Sequence, residues 1–284
     1  MRSGPWRRRE FLGAGALGAA ALARGAERRS PEARHAPLPL GLTTYMFKHY
    51  DLDQTLAMAQ RVAVDRICLR SNLLPLDSSA KEIAAALAKV RKAGLEVYGG
   101  GVIYLRDEAA VERAGAYAQA AGMKLISVSL PPELLPALQR KVRQLDLRAA
   151  IHNHGPEDKH YPTPLAIYEK IEGLDRRIGI CHDTGHTQRA GTDPVEATVK
   201  TADRILDVHL KDVGAPTRRG HSTELGRGMV DLPAVLRALA RIGYRGVVGI
   251  EYEKHMRDLL PGLAESVGYA RGALAALRAD GPEG

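Results

Sequence analysis

The chain has 284 residues, 45% of them hydrophobic and 26% charged, the balance of a globular protein large enough to bury a core. Two cysteines, Cys68 and Cys181, exclude a disulfide scaffold or a cysteine-rich zinc fold, and 5% aromatic residues argue against a stacking platform for single-stranded nucleic acid. The formal charge of +8 sits largely at one end: residues 1–34 carry eight arginines and three glutamates, and without them 33 basic and 30 acidic residues leave +3, which argues against a nucleic-acid partner.

The N-terminus reads Arg8-Arg9-Glu10-Phe11-Leu12, then runs through Ala, Gly and Leu to Ala23. A basic start, a short apolar stretch and small residues at a cleavable end are the parts of a signal peptide, and the paired arginines resemble a twin-arginine signal. Residues 1–26 are expected to be that signal and 27–38 a linker. The expected location is periplasmic or otherwise exported. No apolar run reaches the ~20 residues of a membrane span, so no stable membrane insertion is expected after cleavage. This route carries folded proteins, often with their cofactor inside, so a cofactor is expected too.

From residue 38 onward the pattern alternates. Strand-like runs occupy 40–45, 66–70, 95–103, 123–129, 147–153, 177–183, 206–211 and 246–252. Helical patterns separate most of them. Ser79 and Glu82 form a capping box ahead of the stripe Ile83, Leu87, Val90, and Gly94 stops that helix. Asp231 caps a helix carrying Leu236, Leu239 and Ile242, which Gly243 ends. Strands alternating with helices imply parallel βαβ units, and eight of them over 39–278 imply an α/β fold, a (β/α)8 TIM barrel in a single domain. A doubly wound open sheet is the alternative. The glycine fingerprint of a dinucleotide-binding version is missing after the first run.

Side chains alternate faces along a strand. In 177–183, Ile178 and Ile180 oppose Cys181 and Asp183. In 206–211, Leu206, Val208 and Leu210 oppose Asp207, His209 and Lys211. In 246–252, Val248, Ile250 and Tyr252 oppose Gly249 and Glu251. The apolar set suits packing under the outer helices. The other set turns polar toward each strand's C-terminal end, where barrel active sites lie. Four such ends converge: His152, Asp183, His209 and Glu251. Two imidazoles and two carboxylates suit a divalent metal ion such as Mn²⁺, Co²⁺, Zn²⁺ or Mg²⁺. His186, in Asp-Thr-Gly-His, is placed to bind substrate or move a proton. Lys211 either points into the pocket or pairs with Asp212. His154 is a substrate contact or a partner of the ligands. Arg218, Arg219 and Arg227 lie on the long loop 213–231, and Arg227 is the one assigned to substrate. Cys68 and Cys181 fall on different strands and are expected to be free.

The segments Ala150-Ile-His-Asn-His-Gly-Pro156, Cys181-His-Asp-Thr-Gly-His186, Val208-His-Leu-Lys-Asp212, Glu224-Leu-Gly-Arg-Gly228 and Gly243-Tyr-Arg-Gly-Val-Val-Gly-Ile-Glu-Tyr252 resemble the xylose isomerase-like TIM-barrel superfamily of sugar phosphate isomerases and epimerases. The resemblance spans most of 39–275. It implies a divalent metal held at strand ends, onto which Asp183, His209 and Glu251 map, and a small carbohydrate substrate. Family epimerases carry a metal-binding glutamate where this chain has His152. Either His152 takes that role, or Glu157 supplies the ligand from the following loop, as in inosose dehydratase-like relatives. The implied activity is a sugar isomerase or epimerase acting on a ketose or keto-sugar through an enediolate, with Glu251, His186 and Lys211 as the catalytic groups. A dehydratase, hydratase or lyase on the same metal is the alternative, and a non-catalytic sugar-binding barrel a third reading. The resemblance also implies a homo-oligomer. Apurinic-site endonucleases share the barrel but need further ligands, and the ends of 66–70, 95–103 and 123–129 supply none.

Overall fold

The computed structural model describes residues 38–279. Residues 1–37, which hold the expected signal and most of the linker, lie outside them. In chain order the elements are β1 (Leu40–Thr43), α1 (Leu52–Arg61), β2 (Arg66–Leu69), α2 (Ala80–Lys92), β3 (Glu96–Tyr104), α3 (Glu108–Ala120), β4 (Leu125–Ser129), α4 (Leu135–Leu145), β5 (Arg148–His152), α5 (Pro164–Ile171), β6 (Ile178–Asp183), α6 (Thr184–Arg189), α7 (Pro194–Lys200), β7 (Ile205–Leu210), β8 (Asp212–Val213), β9 (Ser222–Thr223), α8 (Leu232–Arg241), β10 (Val248–Ile250) and α9 (Leu260–Ala279). Every expected strand is present. Eight parallel strands close into a ring in the order β1-β10-β7-β6-β5-β4-β3-β2, with β8 and β9 forming a separate antiparallel ribbon. This is a TIM barrel in a single domain, not an open sheet: Leu40 pairs with Val248, which joins the first strand to the last.

Local chemistry sets the element ends. Ser79 accepts from the backbone of Glu82, and Glu82 reaches back to Ser79, as the capping box requires. A second box, Asp51 with Gln54, opens α1. Gly94 ends α2's final turn at φ +75°, in the left-handed region glycine tolerates. In α8, Leu232, Val235, Leu236 and Leu239 form the buried stripe. The outward-facing strand residues, among them Leu42, Ile67, Ile151, Ile180, Val208 and Ile250, join the helices in one core.

One face assignment is corrected. Between β6 and β7 the register shifts: Ile180 pairs with Ile205, but Cys181 pairs with Asp207. The bulge turns Leu206 away from the helix layer, and it packs with Leu125, Ala150 and Cys181. The alternation Asp207, His209, Lys211 resumes beyond it. In β3, Gly101 lies at φ +135°, and a Cβ there would meet the Ser127 carbonyl oxygen at 2.2 Å, so this strand needs a glycine to pass β4.

Candidate active site

His152, Asp183, His209 and Glu251 each bring a ligand-type atom to one point, all within 4.8 Å of one another, and all four residues are buried. The His152 Nε2 atom lies 3.1 Å from His209 Nδ1 and 3.6 Å from Asp183 Oδ2. His209 Nδ1 lies 2.6 Å from Glu251 Oε2. The Asp183 Oδ2 oxygen is fully buried and makes no hydrogen bond. A buried carboxylate oxygen left unsatisfied is costly, and a cation at the centre of these donors would satisfy it. The residues present therefore fit a divalent metal.

The Asp-Thr-Gly-His segment divides several tasks. Asp183 also caps α6, its Oδ1 accepting from the His186 backbone at 2.7 Å. Thr184 donates to the Lys211 carbonyl and accepts from the Lys211 backbone N–H, fixing β6 to β7. Gly185 leaves room for the lysine stem, since a Cβ there would meet Lys211 Cγ at 2.6 Å. His186 is thereby aimed at Lys211, with Nε2 3.4 Å from Nζ. Asn153 accepts from the Asp183 backbone and donates to its carbonyl, which locks the end of β6 against β5.

Lys211 enters the site and leaves Asp212 to the loop. Its Nζ lies 3.1 Å from Glu251 Oε1, 3.0 Å from Glu253 Oε2 and 3.4 Å from Asp183 Oδ2. Burial opposes charge on this amine, but Asp183, Glu251 and Glu253 outweigh it and hold the lysine well above its ordinary range. Burial likewise opposes charge on Glu251, yet Lys211 and His209 keep it well below the usual carboxylate range. Asp183 is lowered too, by Lys211 and His186 against its burial. Burial and the neighbouring His154 push His152 down to about 4, so it presents neutral nitrogens. His186 is lowered by burial and by Lys211. Arg189 Nη1 lies 3.1 Å from His186 Nδ1. Arginine only donates, so in the neutral ring Nδ1 accepts and the hydrogen sits on Nε2. His209 is raised: Cys181, Glu251 and Asp207 outweigh its burial.

A cavity of about 240 Å³ opens above the cluster, lined in part by His152, His154, His186, His209, Glu251 and Glu253 on one side and by Tyr45, Arg70 and Tyr104 on the other. His154 lies 3.4 Å from the Tyr104 hydroxyl and 3.4 Å from Asp158. Two expectations are corrected. Glu157 is outside the cluster, partly exposed and paired with Arg189 at 2.6 Å. Arg227 does not line the cavity and pairs with Glu265 on α9. The cause is Asp212, which accepts from the backbones of Gly226, Gly228 and Val230 and folds the loop back on itself. Arg218 donates to the Pro156 carbonyl, bridging two loops at the rim. Cys68 and Cys181 are free and buried. Glu253, which no motif marks, also lines the cavity, and strand alternation past Glu251 puts it on the same face.

The family model of the xylose isomerase-like TIM barrel matches residues 64–279. The chain belongs to this family. Among curated relatives, the rhizopine catabolism protein MocC of Rhizobium meliloti is 33% identical over 157 residues, covering 48% of this chain and 46% of that protein. The inosose dehydratase of Geobacillus kaustophilus is 32% identical over 132 residues, 39% of this chain and 41% of the enzyme. The matched stretches thus span less than half of either relative. The solved structure of the IOLI protein, which has a bound zinc atom, superposes with a TM-score of 0.65 at 17% identity, over 86% of this chain and 99% of that one.

Proposed function

We propose that this barrel is a divalent-metal-dependent dehydratase of a keto-sugar or inosose-type ring. The observation that carries this reading is the one-sided placement of the proton-moving groups. His186, Lys211 and Glu253 lie on the β6, β7 and β10 side of the cavity, whereas the β1–β3 side offers Thr43, Tyr45, Arg70, Gly101, Val102 and Tyr104. Epimerisation needs a base on each face of the reacting carbon. Removal of a proton and delivery of one to a neighbouring leaving group need only one face. The similarity to an inosose dehydratase supports the same choice.

His152, Asp183, His209 and Glu251 would hold the ion. Bound there, a divalent ion supplies Lewis-acid polarisation of the substrate carbonyl. Glu253, facing the cavity, takes the proton from the carbon next to that carbonyl. The electron pair left behind forms the enolate, whose oxygen Lys211 Nζ stabilises by charge and hydrogen bonding. The enolate then expels the β-hydroxyl. Glu253 then hands the proton it took to the departing oxygen, which the His186 Nε2 hydrogen, with no acceptor in Lys211, holds by a hydrogen bond, so the leaving group is water and the carboxylate is restored. The net change is loss of H₂O.

The test is a panel of inososes and ketoses, together with their carboxylate- and phosphate-bearing counterparts, incubated with the metal-loaded protein in D₂O and followed by NMR. Loss of water with exchange at the α-carbon is expected. Glu253→Gln should lower turnover by about 10²–10⁴-fold while the bound metal stays, and Glu251→Gln should lose the metal. Formation of an epimer without dehydration would overturn the proposal.

A further inference from the structure

Arg70 leaves the end of β2 at the cavity rim, and its backbone is fixed there. Its N–H donates to Thr44 Oγ1 at 2.8 Å, and Thr44 donates to the Cys68 carbonyl at 2.6 Å. The guanidinium lies 4.3 Å from the Tyr45 ring centroid and 5.9 Å from that of Tyr104. Its contacts are with aromatic faces. Among the described residues no carboxylate lies within ion-pair distance of it. Several other arginines in this fold are paired with carboxylates, as Arg66 is with Asp65, Arg143 with Asp175 and Arg189 with Glu157. Lys48 Nζ adds a second positive charge 5.2 Å from the Tyr45 ring. The same cavity ends at Glu251 and Glu253 on its opposite side. The pocket is thus polar in the electrostatic sense, with carboxylates and the proposed metal at one end and a stacked arginine at the other.

An arginine held by its faces presents its edge, and that edge is a fork of N–H donors matched to two oxygens of an anion. We propose that Arg70, seated on Tyr45 and Tyr104, binds an anionic group on the substrate, at the end remote from the metal-side carbonyl. The substrate class narrows, within the keto-sugars and hydroxylated rings of that reading, to those that carry a carboxylate or a phosphate. This rests on the proposed metal-dependent sugar chemistry for what occupies the other end of the cavity. Orientation follows from charge. Arg70 attracts the anionic end to the rim, so the carbonyl end is directed inward to the metal ligands.

The experiment measures, by titration calorimetry on the Mn²⁺-loaded protein, the binding of glucose, glucuronate and glucose 6-phosphate to the wild type, Arg70→Met and Arg70→Lys, with metal content determined on the same samples. The wild type should bind at least one of the two anions about tenfold or more tightly than glucose. Arg70→Met should abolish that preference with its metal content unchanged, and Arg70→Lys should restore part of it. Preference for glucuronate identifies a carboxylate, and preference for the phosphate ester identifies a phosphorylated substrate. Equal affinities in the wild type, absence of binding by all three, or a preference that survives in Arg70→Met overturns the inference. Metal present with no anion preference defeats only the arginine subsite, whereas absence of metal defeats the catalytic reading and leaves the Arg70 comparison to be judged alone.

Discussion

His209 has a different partner at each ring nitrogen. Nδ1 faces Glu251 and the ligand cluster, while Nε2 faces Asp207 Oδ2 at 3.5 Å, an oxygen that also accepts from Ser127 at 2.6 Å. Asp207 is placed to fix the ring's orientation, so Asp207→Asn should weaken metal binding by about 10–100-fold in a competition titration while His209 remains in place. An unchanged affinity would make the aspartate a packing residue. His209→Ala should remove the metal altogether. At this scale the sequence was informative where strand alternation operates: His152, Asp183, His209 and Glu251 could be placed together from their positions alone. It was uninformative where a loop decides. Nothing local to Glu157 signals that Arg189 holds it, and nothing local to Arg227 signals that Asp212 turns its loop outward.

Among elements, the loop between β7 and α8 depends most on one side chain. Asp212 accepts four backbone N–H groups, from Val213, Gly226, Gly228 and Val230. Asp212→Ala strands those donors, at a cost of about 3 kcal/mol, and should lower Tm by roughly 6–12 °C in a thermal melt. Glu224, at the end of the β8–β9 ribbon, accepts from Tyr252 and Lys254, both at 2.9 Å, and ties that ribbon to the segment carrying Glu253. Burial works against its charge, but Lys254, Tyr252 and Thr223 hold the carboxyl down at about 2. A carboxyl with a depressed folded-state pKa stabilises above its unfolded value and loses that contribution as pH falls toward the folded one. Glu224→Gln should therefore be less stable than the wild type in urea at pH 7, with the difference shrinking as pH drops from about 4.5 toward 2. A constant difference would show that the charge does not contribute. The strands and the caps of α2 and α8 were readable because a two-residue period and an Nterminal oxygen are local signals. The bulge at Leu206 was not, because register belongs to a pair of strands.

For the whole molecule, the ring closes only when β10 joins β1, and the ligands arrive from positions 152 to 251. The ligand cluster therefore cannot assemble before nearly the whole barrel is folded. We propose that the folded, loaded barrel is what the N-terminal arginines export. Replacing Arg8 and Arg9 with lysine should leave the uncleaved protein in the cytoplasm of a host with the twin-arginine pathway, with metal content intact, when fractions are blotted; periplasmic recovery of the variant would exclude that route.

The two halves of the barrel have different residents. The four clustered ligands and Lys211 come from β5, β6 and β7 and from the residues just after β7 and β10, whereas Tyr45, Arg70 and Tyr104 come from the ends of β1, β2 and β3. Such a division makes the fold modular under selection. Substitutions confined to 43–104 can change which molecule the cavity accepts without touching the ligand cluster, so new occupants become reachable by single steps that each leave the four ligands in place.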